Sequence, residues 1–234
     1  MSRVILSLCF AVLVLTTSCA QSQKALPDAA GETAVSATAP FQTKEPARYR
    51  ATRTITSVTG TGETITTTNQ IARDGELRRD DSATAGERVV YLDLREGTFV
   101  LLPQEKLFAD ATNVEHLESG DESESSPDRL LHTEPISTTY QRIGAESLNG
   151  RNTQKYRVLV NSSPGANVSV SETVIWIDDA LQMPIKSETK SANGARSTME
   201  LSDIVLDVDP GLFRIPQDYE KITFAELRKR LKWN

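Results

Sequence analysis

The chain has 234 residues, a formal net charge of −6, and 38% hydrophobic against 25% charged residues. That length supports one sizeable core, and the acidic balance excludes a nucleic-acid partner, because phosphate binding needs a basic face. With only two cysteines, Cys9 and Cys19, a disulfide framework and a cysteine zinc site are excluded as well.

Taken in chain order, the sequence first predicts a targeting segment. Arg3 precedes an apolar run from Val4 to Leu15, interrupted only by Ser7. The run suits a signal peptide and is too short for a bilayer span, which needs about 20 apolar residues. It ends in Leu15-Thr16-Thr17-Ser18-Cys19, which resembles the bacterial lipobox, although Thr16 stands where leucine is usual. The resemblance implies cleavage of residues 1–18 and lipid on Cys19. Cys9 and Arg3 would leave with the signal peptide, taking the net charge from −6 to −7. Ala20 after the cysteine points, by the same resemblance, to an outer-membrane, periplasm-facing position. The lipid rather than surface charge would then hold the chain, since acyl chains contribute about 0.8 kcal/mol per buried methylene.

Residues 19–45 are rich in Ala, Ser, Thr, Pro and Gln, with Phe41 as their one aromatic. No helical or strand period runs through them, so a flexible linker is expected.

From about Pro46 to Ile222 the texture is that of strands. Tyr49–Ile55 and Glu63–Thr67 flank Thr59-Gly60-Thr61-Gly62 as a hairpin. Arg88–Leu94 alternates, with Val90, Leu92 and Leu94 on one face, and Gly97 turns the chain into Thr98–Leu102. Asn149-Gly150 and Asn193-Gly194 are the strongest hairpin signals, since Asn and Gly tolerate the positive φ of a primed turn. Between about 112 and 133, Glu115, Glu118, Asp121, Glu122, Glu124 and Asp128 crowd a segment read as a solvated insertion; the alternative, a loose divalent-cation site, lacks the fixed spacing and glycine of a calcium loop. A short helix around Pro127–His132 is expected to close it. Thr223-Phe224-Ala225-Glu226 is a capping box opening a C-terminal amphipathic helix over 223–234. Phe224, Leu227 and Leu231 share one face, and the reading favours packing on the acidic body over lying on a membrane.

Catalytic signatures are missing. His116 and His132 lie in or beside the acidic insertion, and no nucleophile elbow, zinc-protease, phosphate-loop or dinucleotide motif appears. Asp178-Asp179 reads as a turn, because neighbouring strand residues point to opposite faces. Asp203, Asp207 and Asp209 have nothing to fix them as a cation site. No cofactor, no metal and no enzymatic activity are expected.

The second half of the chain resembles the periplasmic lipoprotein carrier and acceptor (LolA/LolB-like) superfamily. The resemblance rests on Trp176-Ile177-Asp178, Met183-Pro184-Ile185-Lys186, Leu201-Ser202-Asp203-Ile204 and Asp209-Pro210-Gly211-Leu212-Phe213-Arg214-Ile215-Pro216, with Leu148-Asn149-Gly150 to Tyr156 before them. It covers about residues 140–222. It implies a mainly β fold: one curved antiparallel sheet forming an unclosed half-barrel, with a few short helices over the concave face. It implies too that a lipid or lipidated polypeptide occupies that face, in lipoprotein sorting or lipid transfer. Cavity candidates are Ile55, Ile65, Ile71, Leu92, Phe99, Leu101, Tyr156, Val158, Trp176 and Met199. Two alternatives stay open: a protein-interaction or stress-sensing module with a filled core, and an envelope hydrolase working through Asp178 or Asp203. A monomer is expected.

Overall fold

The computed structural model describes residues 35–84, 86–114, 137–162, 169–191 and 193–233. The signal peptide, Cys19, the linker before residue 35, the acidic insertion from residue 115, the helix expected at 127–132, His116 and His132 all lie outside them. Twelve strands form one unclosed sheet: β1 (Arg48–Val58), β2 (Thr64–Asp74), β3 (Leu77–Thr84), β4 (Glu87–Leu94), β5 (Gly97–Leu102), β6 (Leu107–Asp110), β7 (Ser137–Leu148), β8 (Arg151–Ser162), β9 (Ser169–Asp178), β10 (Pro184–Lys190), β11 (Arg196–Val205) and β12 (Glu220–Ile222). Their spatial order is β12-β6-β5-β4-β3-β2-β1-β11-β10-β9-β8-β7. This is the unclosed half-barrel of the sequence reading. One pairing departs from it: β12 runs parallel to β6. The crossover that delivers β12 is residues 206–219, with a 3-10 turn at Pro210–Leu212.

Local sequence explains the meander. β1 and β2 pair in register from Arg48↔Asp74 to Val58↔Thr64 around the predicted turn. At the β7–β8 turn Asn149 (φ 51°) and Gly150 (φ 75°) both take positive φ, as a primed two-residue turn requires. The β10–β11 connection differs: Gly194 (φ 85°) takes positive φ without Asn193, in a wider loop closed by Ser191 and Ala195. Five residues separate the last pair, Lys190 and Arg196, three more than in the two-residue turn, and this allows the wider geometry.

Helix α1 (Phe224–Leu231) is the one α-helix among the described residues. Its capping box is complete, with the Thr223 side chain accepting from the Glu226 backbone N–H and the Glu226 carboxylate accepting from the Thr223 N–H. Leu227 and Leu231 are fully buried against Val89, Tyr91, Val100, Leu102, Leu107 and Ala109. Strand register puts these sheet residues on one face, here named the inner face. On the opposite, outer face, Val90, Leu92, Phe99 and Leu101 pack under Ile215 and Tyr219 of the crossover. Ala72 and Leu77 meet Val208, Leu212 and Phe213 in the same way. Strands β4 and β5 are therefore buried on both faces.

Residues 35–45 correct the linker reading. Ser36 pairs with Tyr140 at the outer edge of β7 through two backbone hydrogen bonds, 2.9 and 2.7 Å. Phe41 packs on Tyr140 and Tyr156, and Lys44 N–H reaches the Gln182 carbonyl at 2.9 Å. An extended segment held by one aromatic and a few backbone bonds needs no hydrophobic period, which is why the sequence pattern did not disclose it.

Candidate functional site

Strand register divides the inner face into three zones. One wing, over β4–β6, carries α1 and Trp233, whose ring lies 6.5 Å from that of Tyr91 and nearly parallel to it. The other wing, over β7–β9, is built from Tyr140, Tyr156, Val158, Ile175 and Ile177 and carries Ala39 and Phe41. Between the wings lie β1–β3, β10 and β11, with Tyr49, Ala51, Ile185, Met199 and Leu201 as an apolar floor and Ile55 and Ile71 half-buried beside it. At the far end of this middle zone Ile65 is 54% exposed.

The strap formed by residues 35–45 is fixed where it joins the middle zone. Arg78 donates two hydrogen bonds to the Glu45 carboxylate, at 2.8 and 3.1 Å, Arg73 donates a third, and the Tyr49 hydroxyl donates at 2.7 Å. Burial alone would raise the Glu45 carboxyl. The hydrogen bonds from Arg78 and Tyr49 and the charges of Arg78 and Arg73 outweigh it and hold the group below its ordinary value. Tyr49 moves upward, through burial first and then the adjacent Glu45 charge.

A second polar group sits in the middle zone itself. Arg53 and Asp80, each 5% exposed, form an ion pair, with Asn69 directly across from Arg53. Three of their buried atoms, Arg53 Nε, Asn69 Oδ1 and Asp80 Oδ1, have no hydrogen-bond partner. Burial raises the Asp80 carboxyl, and the opposing pull of Arg53 does not cancel it. Desolvation thus outweighs the attraction within the pair, as is common for ion pairs withdrawn from water. No motif marked this cluster in the sequence. The available signal was the placing of Arg53 and Asn69 at alternating positions that share a face with Ile55 and Ile71.

The ten cavity candidates separate by face. Ile55, Ile65, Ile71, Tyr156, Val158 and Met199 share the inner face. Tyr156 and Val158 lie under the strap, and the other four line the middle zone. Leu92, Phe99 and Leu101 point to the outer face and pack beneath the crossover, so they do not line the same surface. Trp176 is on the outer face too, 2% exposed, with Lys155 and Lys186 over its ring at 4.5 and 4.7 Å and its Nε1–H donating to Glu146 at 2.6 Å. The inner-face counterparts that the sequence reading passed over are Val89, Tyr91 and Val100.

The carboxylates weighed for hydrolysis have structural partners. Asp178 is buried at the end of β9; its Oδ1 accepts from the Ala180 and Leu181 N–H groups at 2.9 and 2.7 Å, and its Oδ2 faces Arg151 at 3.1 Å. Asp203 accepts from Thr52 and Ser202, and Asp209 caps the 3-10 turn through the Gly211 N–H. Among the described residues no three His, Cys, Asp or Glu side chains are grouped to hold a metal ion. A depression of about 480 Å³ at the start of α1 is lined by Asp110, Glu220, Lys221, Ile222, Thr223, Phe224 and Glu226. Its Glu226 is committed to the capping box.

No protein-family model matches the chain, and no curated protein matches it. Solved structures do. LprF from Mycobacterium bovis is 8% identical with a TM-score of 0.45, covering 74% of this chain and 90% of its own. A LolA superfamily protein from Nitrosomonas europaea is 11% identical with a TM-score of 0.34, covering 74% of this chain and 91% of its own. The MucA/MucB complex of Pseudomonas aeruginosa contains a chain 13% identical with a TM-score of 0.43, covering 76% of this chain and 59% of that one. The likeness is one of fold.

Proposed function

We propose that this chain is a lipid-anchored protein of the bacterial envelope that binds an apolar ligand, a lipid or a lipidated polypeptide, on the inner face of its half-barrel without catalysis. The observation that carries this reading is the middle zone. There Ile55 and Ile71 lie half-buried over a floor that includes the buried Met199, between a helix on one wing and a strap on the other, with Ile65 exposed at the end. Apolar chains suit such a surface because they require dryness and volume but few polar contacts. Catalysis is disfavoured by the engagement of Asp178 and Asp203 in turns and strand contacts.

The anchor is the proposed lipid on Cys19, which places the domain at the outer membrane facing the periplasm. Cys19→Ser should leave the protein unlipidated and in the soluble fraction, and membrane retention of that variant would refute the anchor. The same variant, expressed in a bacterial periplasm and purified without detergent, tests the ligand by native mass spectrometry. A mass excess of several hundred daltons, released by organic solvent and identified as lipid, supports the reading. A bare polypeptide mass with no binding of an apolar fluorescent probe refutes it. A second reading, a protein-interaction module, is favoured by one observation: the β7–β9 wing already holds an extended polypeptide, the chain's own strap.

A further inference from the structure

We infer that the β7–β9 wing of the inner face is a docking groove for an extended polypeptide, occupied here in cis by residues 35–45. The occupant's chemistry is legible in how the strap binds. It pairs by backbone with the outer edge of β7 at Tyr140, inserts an aromatic ring against Tyr140 and Tyr156, and ends in a carboxylate clamped by two arginines four residues later. The Phe41 ring lies 5.8 Å from Tyr140, edge-on, and 4.6 Å from Tyr156. The partner is therefore an extended segment of another protein with a bulky aromatic residue and, four positions toward its C-terminus, an acidic one. Main-chain pairing at a sheet edge supplies affinity, and the two side-chain anchors supply selection.

The edge itself is a second, independent observation. Among the described residues β7 is the last strand of the sheet, twelve residues long, and the strap makes one bridge to it on the side away from β8. Unpaired backbone on an edge strand is a template for another chain. A bulge between Arg142 and Gly144, where Gly144 has φ 149°, shifts the β7–β8 register, and pairing with β8 resumes from Gly144 to Leu148. The bridge at Tyr140 sets the strap beside the ring that Phe41 packs against. The remaining site belongs to the strap, whose covalent attachment gives it an effective concentration of about millimolar magnitude. A partner in trans binds only as the strap leaves.

The test uses the Cys19→Ser chain and a fluorescent peptide of residues 35–45, followed by anisotropy. The variant Phe41→Ala/Glu45→Gln weakens the strap and should bind the peptide about tenfold or more tightly than the parent chain. A peptide carrying Phe41→Ala should lose about tenfold in affinity for that variant. Circular dichroism and a thermal melt confirm the fold, and Glu45→Gln alone, which keeps the aromatic contact, serves if the double variant unfolds. Equal peptide affinity for parent and weakened chains overturns the inference, as does undiminished binding of the Phe41→Ala peptide. Neither result bears on lipid in the middle zone, which the mass measurement reads separately.

Discussion

Removing Asp80 alone should cost far more stability than removing the whole ion pair to which it belongs. Arg53 and Asp80 are each 5% exposed, and three atoms of the Arg53–Asn69–Asp80 group have no partner. Asp80→Ala leaves the Arg53 guanidinium buried with no counter-charge, which costs about 3–5 kcal/mol. In a domain of about 150–250 residues each kcal/mol lowers Tm by about 2–4 °C, so a fall of about 6–20 °C is expected. Arg53→Met/Asp80→Leu removes both charges and two of the three unpaired atoms while keeping volume on the apolar floor. Because burial already prevails over Arg53 in raising the Asp80 carboxyl, the double variant should match the parent or exceed it by about 1–4 kcal/mol. Urea unfolding of the parent, both single variants and the double variant closes the cycle. A double variant as unstable as Asp80→Ala would show that the pair contributes net stability and that the reasoning from burial is wrong.

Three further outcomes are expected. Thr223→Ala removes one side of the capping box and should cost about 1 kcal/mol, whereas Leu227→Ala empties a fully buried site under α1 and should cost about 2–5 kcal/mol; urea melts that reverse this order would mean the helix is held by its cap and not by its face. Glu45, held below its ordinary carboxylate value by Arg78, Tyr49 and Arg73, stabilises strap docking fully above its unfolded value of about 4.3, and that stability is lost as pH falls through the lower folded value. Hydrogen exchange at the Ser36 and Lys44 amides should therefore lose protection at acid pH in the parent and lose this dependence in Glu45→Gln; unchanged parental protection down to pH 3 would refute the linkage. Trp176→Phe removes the hydrogen bond to Glu146 and weakens both cation–π contacts, each worth about 0.5–1 kcal/mol at a partly exposed site, and a melt unchanged from the parent would leave the two lysines without an energetic role.

What the sequence disclosed and what it hid follow one physical line. Hairpin turns and the helix cap are local: Asn149-Gly150 and Thr223-Phe224-Ala225-Glu226 each contain the groups that satisfy their own backbone, and both form as read. Strand orientation is not local. Period-two alternation separates two faces but does not say which is inner, and in β4 the alternation is absent because Val89, Val90, Tyr91 and Leu92 are all buried. The helix covers one side of that strand and the 206–219 crossover the other, so Leu92, Phe99 and Leu101 could be placed on the inner face only by assuming a single covered face. Trp176 misled for a related reason: a tryptophan beside Lys155 and Lys186 is buried by their aliphatic stems on an otherwise polar surface. The strap was hidden because it is held by partners distant in sequence, such as Tyr140 for Ser36, Tyr156 for Phe41 and Arg78 for Glu45, which no local pattern connects.

These failures share a consequence for function. The apolar inner face must be covered, and among the described residues two elements that differ in how firmly they are held do so. Helix α1 carries a complete cap and two fully buried leucines, so it is built as a permanent cover. Among its contacts with described residues the strap has one half-buried ring, three backbone hydrogen bonds and a charge clamp, and in sequence it follows Cys19. Of the two covers the strap, which meets the sheet at an edge strand, has the fewer buried apolar contacts among the described residues. On the binding reading proposed above, the division of the inner face into a capped helix wing and a strap wing, with an apolar floor between them, supplies the surface on which an apolar ligand would lie.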